Sequence, residues 1–465
     1  MELPSYLRSI GEVLAVHNPT TPTMASPTPI MASPMPVPTA MASPMPMPKQ
    51  KLRFMLVSTH CHQFTGYSKV SHGILEELVK QPALELTHFG FQKHPQAPQQ
   101  YRPYHPSVDV IDAAAIEASV PSQQGQPQQG FGYHVLVDTI KKKRPHVVMI
   151  YNDMAVVTRF LEEIRKSGVS RDFKLWIYCD QVYDCQLQGM IDILNRDADR
   201  VFAFTSYWKK QLKDQGITRP LHVLGHGFDP KTYFTVPRDL ARKSLKLPED
   251  AFVIMNLNRN QPRKRQDIMI MAFVELVTKY PTKPIVLLCI CDKGEKGGWW
   301  LFELYARELK KRGVPIEQFG NRLMISSQDM VFKDDDINVL YNIADVGIST
   351  AEGEGWGLCT FEQMGVGIPQ VVPDIGGYKE FCSADNSMVV KPKYRYYLPS
   401  VYSPVGGEAQ ACDPHDVCLA LEEYVNDSEK RKRHGAKAKE TVLGYTWEKA
   451  TAELRKRLEE EREEL

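Results

Sequence analysis

The sequence predicts an α/β protein in which two doubly wound, Rossmann-like domains face each other across a cleft. Continuous apolar runs at 146–151 (HVVMIY) and 173–179 (FKLWIYC) are typical of parallel strands buried on both faces. The length of 465 residues, with 43% hydrophobic and 24% charged residues, suits two domains and a tail. A glycine-rich stretch at 349–381 has the pattern of a strand, a loop and a short helix.

The chain begins with a segment that we expect to be disordered. Residues 19–48 contain ten prolines and three copies of MASP, a composition that can neither pair its backbone nor bury a core. We therefore divide the chain into a tail (1–49), an N-terminal domain (50–229), a C-terminal domain (230–445) and a helical ending (446–465).

The N-terminal domain opens with an apolar strand at 51–59, a loop, and an amphipathic helix from about residue 69 to 80. In open α/β sheets ligands bind at the carboxyl ends of the strands. The strands at 146–151 and 173–179 place Asn152, Asp153 and Asp180 at that edge. The segment 92–129 is rich in Gln and Pro and predicts a loop of low order.

The C-terminal domain opens with a strand at 251–258, a basic turn (RNQPRKRQD) and a long helix at 268–279. Arg259 and Lys264 are five residues apart across this turn. A basic cluster of this kind is either a solvated turn or a site for anions. Its position after a strand favours the second interpretation.

The glycine-rich stretch indicates a phosphate site. Gly353, Gly355 and Gly357 remove side chains from the loop before a helix, and the N-H groups and dipole of a helix N-terminus attract anions. Glu354 and Glu362 frame the opening. Carboxylates accept hydrogen bonds from neutral hydroxyls, so the pattern suggests a nucleoside diphosphate attached to a sugar. The alternative is that both glutamates are solvated surface charges.

The motif EGEGWGLCTFE followed by GIPQVVPDIGGYKE, with its Glu-x7-Glu spacing, resembles the retaining GT-B glycosyltransferases of family 4. Further similar blocks are HGFDP, NLNRNQPRKRQDIMIMAF and LYNIADVGIST, and together they cover most of residues 200–450. The resemblance implies a GT-B fold, an N-terminal domain for the acceptor and a C-terminal domain for the nucleotide sugar. It also implies a last helix that crosses back to the N-terminal domain.

The resemblance also implies residue roles. Arg259 and Lys264 would bind the donor diphosphate, Glu362 the ribose and Glu354 the sugar hydroxyls. The remaining donor contacts would come from Gly66 in the first loop and from the backbone of Gly355, Trp356, Gly357 and Leu358. Family 4 members often place a His where this chain has Cys179 and Asp180, so Asp180 is the first candidate to meet the reactive face of the sugar.

We therefore expect an enzyme that moves a sugar from a UDP- or GDP-linked donor to a glycan, lipid or protein-linked acceptor, with retention of configuration. Sugar phosphorylases and nucleotide-sugar epimerases share the GT-B fold and are alternatives. A sugar-binding or scaffold protein without turnover is another.

We expect no metal and no other cofactor. Asp197-Ala198-Asp199 and Asp334-Asp335-Asp336 match the short Asp-x-Asp pattern of the metal-dependent GT-A fold. The first precedes a core strand and the second stands where a helix needs a cap. His60 and His62 would need a distant third ligand.

Composition limits the partners and the location. A net charge of +1 does not indicate binding to nucleic acid. No apolar run approaches the ~20 residues of a membrane span. We therefore expect a cytoplasmic chain with reduced cysteines. The basic stretch 430–440 could contact an anionic membrane peripherally or form a solvated helix face. The sequence does not indicate an oligomeric state.

Overall fold

The computed structural model describes residues 50–98, 101–119, 129–244, 247, 250–291, 297–326, 332–401 and 403–465. The predicted tail, 1–49, lies outside these residues. Within the described part of the chain, no helix is both long and apolar enough to cross a membrane.

The first half of the chain builds a parallel sheet of seven strands in the order β3-β2-β1-β4-β5-β7-β8. The chain moves outward from β1 to β3 and then returns to the other side of β1, so the strand order reverses between β1 and β4. In doubly wound sheets ligands bind at such a reversal. The strands are β1 (Leu52–Thr59), β2 (Leu84–Phe91), β3 (Val108–Asp112), β4 (Val147–Asp153), β5 (Lys174–Asp180), β7 (Arg200–Ala203) and β8 (Leu221–Val223).

The second half builds a parallel sheet of six strands in the order β11-β10-β9-β12-β13-β14. Here the order reverses between β9 and β12, which pair directly. The strands are β9 (Phe252–Asn256), β10 (Ile285–Cys289), β11 (Leu323–Ile325), β12 (Val346–Ile348), β13 (Gln370–Pro373) and β14 (Ser387–Val390).

Helices cover both faces of each sheet, and this explains the continuous apolar runs. Every residue of β10, for example, is buried, as expected for a strand packed on both faces. In the first half the helices are α1 (Gly66–Leu78), α2 (Ala113–Ser119), α3 (Tyr133–Lys143), α4 (Met154–Lys166), α5 (Gln188–Asp197) and α6 (Ser206–Asp214). In the second half they are α7 (Arg238–Ser244), α8 (Gln266–Lys279), α9 (Leu301–Lys311), α10 (Ile316–Phe319), α11 (Asp334–Ile343), α12 (Leu358–Gly365), α13 (Tyr378–Phe381), α14 (Pro414–Asn426) and α15 (Ser428–Leu443).

A third, antiparallel sheet joins the two halves in the order β15-β16-β6. The strand β6 (Asp184–Gln186) lies in the first half of the chain, while β15 (Tyr394–Tyr397) and β16 (Gly406–Ala411) lie in the second. The sequence predicts a loop-rich region at 392–407, and this prediction is wrong at β15. The backbone of this strand is paired with β16 although all its side chains are exposed, so it lacks the apolar alternation that signals a strand.

The predicted loop at 92–129 is also wrong in part, because it contains β3 and α2. The strand β3 pairs with β2 at the edge of the first sheet. Only the first of its five residues is buried, which explains why the sequence gives a weak strand signal. Residues 120–128 of this segment lie outside the described part of the chain.

The helical ending consists of α16 (Trp447–Ala450) and α17 (Ala452–Glu463) and packs on the first half of the chain. The ring of Trp447 lies against Gly73 and Gly227. In addition, a carboxylate oxygen of Glu453 lies 2.7 Å from the His222 ring.

The basic helix α15 carries lysines that pair with nearby glutamates. Lys430 pairs with Glu423 at 3.1 Å and Lys432 with Glu429 at 2.9 Å. Such pairs are typical of a solvated helix face.

Candidate active site in the interdomain cleft

Loops from both large sheets line one cleft with a volume of about 410 Å³. Since β9 and β12 are neighbours, the basic turn after β9 and the glycine-rich loop after β12 leave the sheet side by side. The loop after β1 and the ends of β4 and β5 form the opposite wall. The volume lies within the range of roughly 300–1,000 Å³ that is usual for small-molecule sites.

Two helix N-termini meet in this cleft. Helix α1 begins at Gly66 and helix α12 begins at Leu358. A Cβ atom on Gly66 would lie only 2.8 Å from the Leu358 Cδ1 atom, so the two helix ends touch across the domains. Gly357 precedes α12 with a φ of +96° and gives the helix no side-chain cap. The positive ends of two helix dipoles therefore point into the same space, as an anion site requires.

The glycine-rich loop is held from both sides through its backbone. The Trp208 indole N-H donates to the Gly355 carbonyl at 2.8 Å, and the Gly377 N-H donates to the Glu354 carbonyl at 2.9 Å. A Cβ atom on Gly377 would run into the Gly355 carbonyl. The loop geometry thus depends on glycine at position 377, in the Gly-Gly turn that follows β13.

The Trp356 side chain belongs to the interdomain core. It is 3% exposed and lies against His226, with ring centroids 4.7 Å apart. Burial lowers the pKa of His226 to about 3, so this ring is neutral. Trp356 can therefore offer its backbone to a ligand, while its ring packs the wall behind the loop.

Lys264 and Glu354 form a buried ion pair. Lys264 lies on a short 3-10 turn after β9, and its ammonium group donates to the Glu354 Oε2 atom. Arg263 lies 3.6 Å from the same oxygen and donates to the Gly353 carbonyl at 2.8 Å. Burial would raise the pKa of Glu354, but the charges of Lys264 and Arg263 outweigh it and lower that pKa. Glu354 is therefore ionised at neutral pH.

Arg259 lines the same cleft and is exposed. Within the described part of the chain, its guanidinium makes neither an ion pair nor a hydrogen bond. Arg259 is thus available to a ligand at the mouth of the site, next to the buried Lys264.

Glu362 is bound by groups from both halves of the chain. The Lys69 ammonium, on α1, lies 2.7 Å and 2.9 Å from its two oxygens, and the Tyr341 hydroxyl donates to Oε2 at 2.9 Å. Lys69 also donates to the Tyr233 hydroxyl, which in turn donates to Asp334 at 3.2 Å. Glu362 therefore belongs to a polar network across the interdomain boundary.

Asp180 ends strand β5 beside the glycine-rich loop. The Tyr67 hydroxyl donates to its Oδ2 atom at 2.7 Å. Its buried Oδ1 atom has no partner among the described residues, and a Cβ atom on Gly355 would run into it. Burial raises the pKa of Asp180 to about 6, although Tyr67 and Arg263 oppose the shift.

The acidic groups that match an Asp-x-Asp pattern are occupied by protein partners. Asp334 accepts two hydrogen bonds from Arg102, at 2.8 Å and 2.9 Å, and Asp336 accepts from the Lys333 N-H that precedes α11. Asp199 accepts from the Leu175 N-H at 2.7 Å. Across the described ranges, no group of three or more His, Cys, Asp or Glu residues could hold a metal ion.

Residues 237–396 match the family described as Glycosyl transferases group 1. The D-inositol 3-phosphate glycosyltransferase of Streptosporangium roseum is 22% identical over 259 residues, which is 55% of this chain and 54% of that protein. The chain spans about half the length of the curated relatives it matches.

Solved structures agree over a larger part of the chain. Anabaena HepE in complex with UDP and glucose superposes with a TM-score of 0.63 at 16% identity, over 88% of this chain and 100% of that one. The sucrose-phosphate synthase of Thermosynechococcus elongatus gives a TM-score of 0.64 at 15% identity, over 88% and 99%. The fold is GT-B. The family match supports a glycosyltransferase domain over residues 237–396.

Within this GT-B fold, the cleft is lined by the residues that the sequence singled out, except Asn152 and Gly355. Asn152 is buried, and its side-chain amide donates to the Thr59 hydroxyl at 3.3 Å. Sequence reasoning missed the cleft residues that hold the two glutamates, which are Arg263, Lys69 and Tyr341. Arg263 is part of the same basic turn, so its charge was a usable signal. Lys69 is 293 residues from Glu362, and Tyr341 lies on the helix before β12. No local pattern pairs either of them with Glu362.

Proposed function

We propose that the protein is a glycosyltransferase that moves a sugar from a nucleoside diphosphate sugar to an acceptor hydroxyl. The observation that carries this proposal is the meeting of two helix N-termini with Arg259 and Lys264 at the strand-order reversal of the second sheet. Helix N-termini and fixed cations suit a diphosphate, which is both a bound group and a charged leaving group.

In this proposal the diphosphate lies between the two helix ends. Lys264 contacts it without releasing Glu354, because an ammonium group has three N-H donors. Arg259 supplies a planar, forked donor at the mouth of the cleft. As the bond between the anomeric carbon and the diphosphate breaks, both cations stabilise the charge that builds on the leaving oxygen. We therefore propose transfer without a metal ion.

The carboxylates take the hydroxyl groups of the donor. Glu362 accepts from the ribose, Glu354 from the transferred sugar, and Asp180 lies at the reactive face, opposite the backbone of Gly355. The unpaired Oδ1 atom of Asp180 supports the last assignment, since a buried carboxylate oxygen is usually hydrogen-bonded.

Two likenesses support the choice of donor and chemistry. Anabaena HepE was solved with UDP-glucose, so we propose a UDP- or GDP-linked hexose for this cleft. The family resemblance at the Glu-x7-Glu motif leads us to propose retention of configuration. The acceptor would be a sugar hydroxyl of a glycan, lipid or protein-linked saccharide.

Donor binding is the first experiment. Thermal unfolding is followed with UDP, GDP, UDP-glucose and GDP-mannose, and a ligand at a hundred times its Kd adds about 2.7 kcal/mol of stability. We expect one nucleotide series to raise the Tm and the other to have little effect. If neither series stabilises the protein, the proposed donor site is wrong.

Turnover is the second experiment. Nucleoside diphosphate release is measured with and without a saccharide acceptor. Acceptor-dependent release separates transfer from epimerisation, which releases no nucleotide. Sugar phosphate formation from a saccharide and inorganic phosphate alone would instead indicate a phosphorylase.

A further inference from the structure

The N-terminal wall of the cleft differs in charge from the donor side. We call the four residues Tyr67, Tyr151, Asp153 and Asp180 the acceptor wall, because they line the cleft opposite the turn that carries Lys264. The Tyr67 ring packs edge-on against Tyr151 with centroids 5.5 Å apart. Tyr151 is 1% exposed and backs the Tyr67 ring, so the wall offers one aromatic ring and two carboxylates.

The carboxylates of the acceptor wall receive few hydrogen bonds from the protein, and the charge of Arg263 acts on both. Asp180 receives a hydrogen bond only on Oδ2, from Tyr67. Asp153 receives one from the Val156 N-H at 3.0 Å as the N-cap of α4 and is half-buried at the edge of the cleft. At an assay pH of about 7.5 an acid with a pKa of about 6 is ionised, so Asp180 is charged.

The cations near this wall are already bound to acids. Among the described residues that line the cleft, the first half of the chain contributes Lys69 and Arg102 as its basic groups. Lys69 is held by Glu362, and Arg102 makes two hydrogen bonds to Asp334. Among the described residues, the first half of the chain thus supplies no unbound cation to these two carboxylates. Arg263 of the second half, whose charge acts on both, donates to the Gly353 carbonyl.

From this arrangement we infer that the acceptor is a neutral polyhydroxylated molecule, and that acceptors carrying a phosphate near the reacting hydroxyl are rejected. This inference rests on the proposed function. Carboxylates accept hydrogen bonds from sugar hydroxyls, and the Tyr67 ring supplies flat apolar contact area with a polar edge. A phosphate group would lie next to like charges in a partly desolvated site, which suppresses binding. The curated relatives named for D-inositol 3-phosphate would thus differ from this protein in acceptor class.

The test uses matched acceptor pairs that differ only in one phosphate. The pairs are glucose with glucose 6-phosphate and myo-inositol with D-inositol 3-phosphate, each offered with UDP-glucose and with GDP-mannose, alongside neutral disaccharides. We expect kcat/KM for the neutral member of a pair to exceed that for the phosphorylated member at least about tenfold. A preference for the phosphorylated member would overturn the inference.

A substitution checks that the wall causes the preference. In Asp153→Asn the helix cap is kept, because Asn is also a good N-cap, while one negative charge is removed. We expect the ratio of kcat/KM for the phosphorylated acceptor to kcat/KM for the neutral acceptor to rise by roughly threefold or more. The matched control is Asp138→Asn, whose side chain is 84% exposed on α3 of the same half and does not line the cleft. An unchanged ratio in Asp153→Asn would contradict the proposal that the acceptor wall rejects phosphorylated acceptors.

Binding of UDP and GDP, measured by calorimetry on the same samples, separates the two proposals. If a nucleotide binds but no neutral saccharide is used, the acceptor inference fails and the donor site stands. If neither nucleotide binds, the proposed function itself fails, and the acceptor inference fails with it.

Discussion

Replacing Lys264 by alanine tests the buried ion pair and the proposed donor site together. The substitution leaves Glu354, which is 8% exposed, with Arg263 at 3.6 Å as its remaining cation. Removing one partner of a buried pair typically costs about 3–5 kcal/mol. Because Arg263 stays close, we expect Lys264→Ala to lose stability nearer the lower end, at about 3 kcal/mol.

The same variant should lose transfer activity by about 100-fold or more, since a fixed charge that stabilises a leaving group is usually worth that much. Loss of folding would also abolish activity, so the rate is measured at a temperature where the folded fraction is shown to be complete. Arg259→Lys is the companion variant. Its site is exposed, so stability should be unchanged, yet turnover should fall because a point charge does not replace a forked donor.

Unfolding is followed by urea titration and turnover by nucleoside diphosphate release. Lys310→Ala is the matched control, because Lys310 is exposed on α9 of the same half and does not line the cleft. The double variant Lys264→Met with Glu354→Gln removes both charges and should recover most of the stability. Rates for Lys264→Ala within a few-fold of the unmodified protein would refute the diphosphate assignment. Unchanged stability would refute the account of the ion pair.

Three further predictions concern the carboxylates of the cleft and the proposal that transfer needs no metal ion. Glu362→Gln should weaken binding of the nucleoside diphosphate by roughly 1.5–3 kcal/mol, whereas Glu354→Gln should reduce turnover more than nucleotide affinity. If calorimetry shows that both variants bind the nucleotide equally weakly, this division of roles is wrong. Because the folded pKa of Asp180 is raised to about 6, its ionisation lowers stability. Relative to Asp180→Asn, the unmodified protein should lose stability as the pH rises from about 4 through about 6, and parallel pH curves for the two proteins would contradict the shift. Sugar transfer should also be unaffected by EDTA, since Arg259 and Lys264 supply the positive charge that a metal ion supplies in other enzymes. Loss of activity on chelation that manganese restores would contradict this and would make Asp334 a candidate metal ligand.

The strands that position the site could be predicted because they are buried on both faces. The predicted strand at 173–179 corresponds to β5 (Lys174–Asp180). A parallel strand buried in this way appears as a continuous apolar run, and its carboxyl end fixes where the next loop emerges. Asp180 and the glycine-rich loop were therefore placed at the cleft from local sequence alone.

The interdomain contacts could not be predicted in the same way. The pairing of β6 with β16 joins residues more than two hundred positions apart, and its short strands carry no apolar alternation. Lys69 was expected to start a helix, but α1 begins at Gly66. That shift places Lys69 one turn inside the helix, where it reaches Glu362 on the other half of the chain.

The spacing of the two glutamates places them in different electrostatic surroundings, and this difference explains their proposed division of labour. Glu354 pairs with Lys264 inside one half of the chain, so a diphosphate can share the ammonium without disturbing the domain arrangement. Glu362 accepts two hydrogen bonds from Lys69 and one from Tyr341. A carboxylate has about four acceptor positions, which leaves room for about one more donor beside these described contacts. One ribose hydroxyl meets that requirement. Because Lys69 comes from the opposite half of the chain, the ribose would bind Glu362 at a point where the two domains are already in contact.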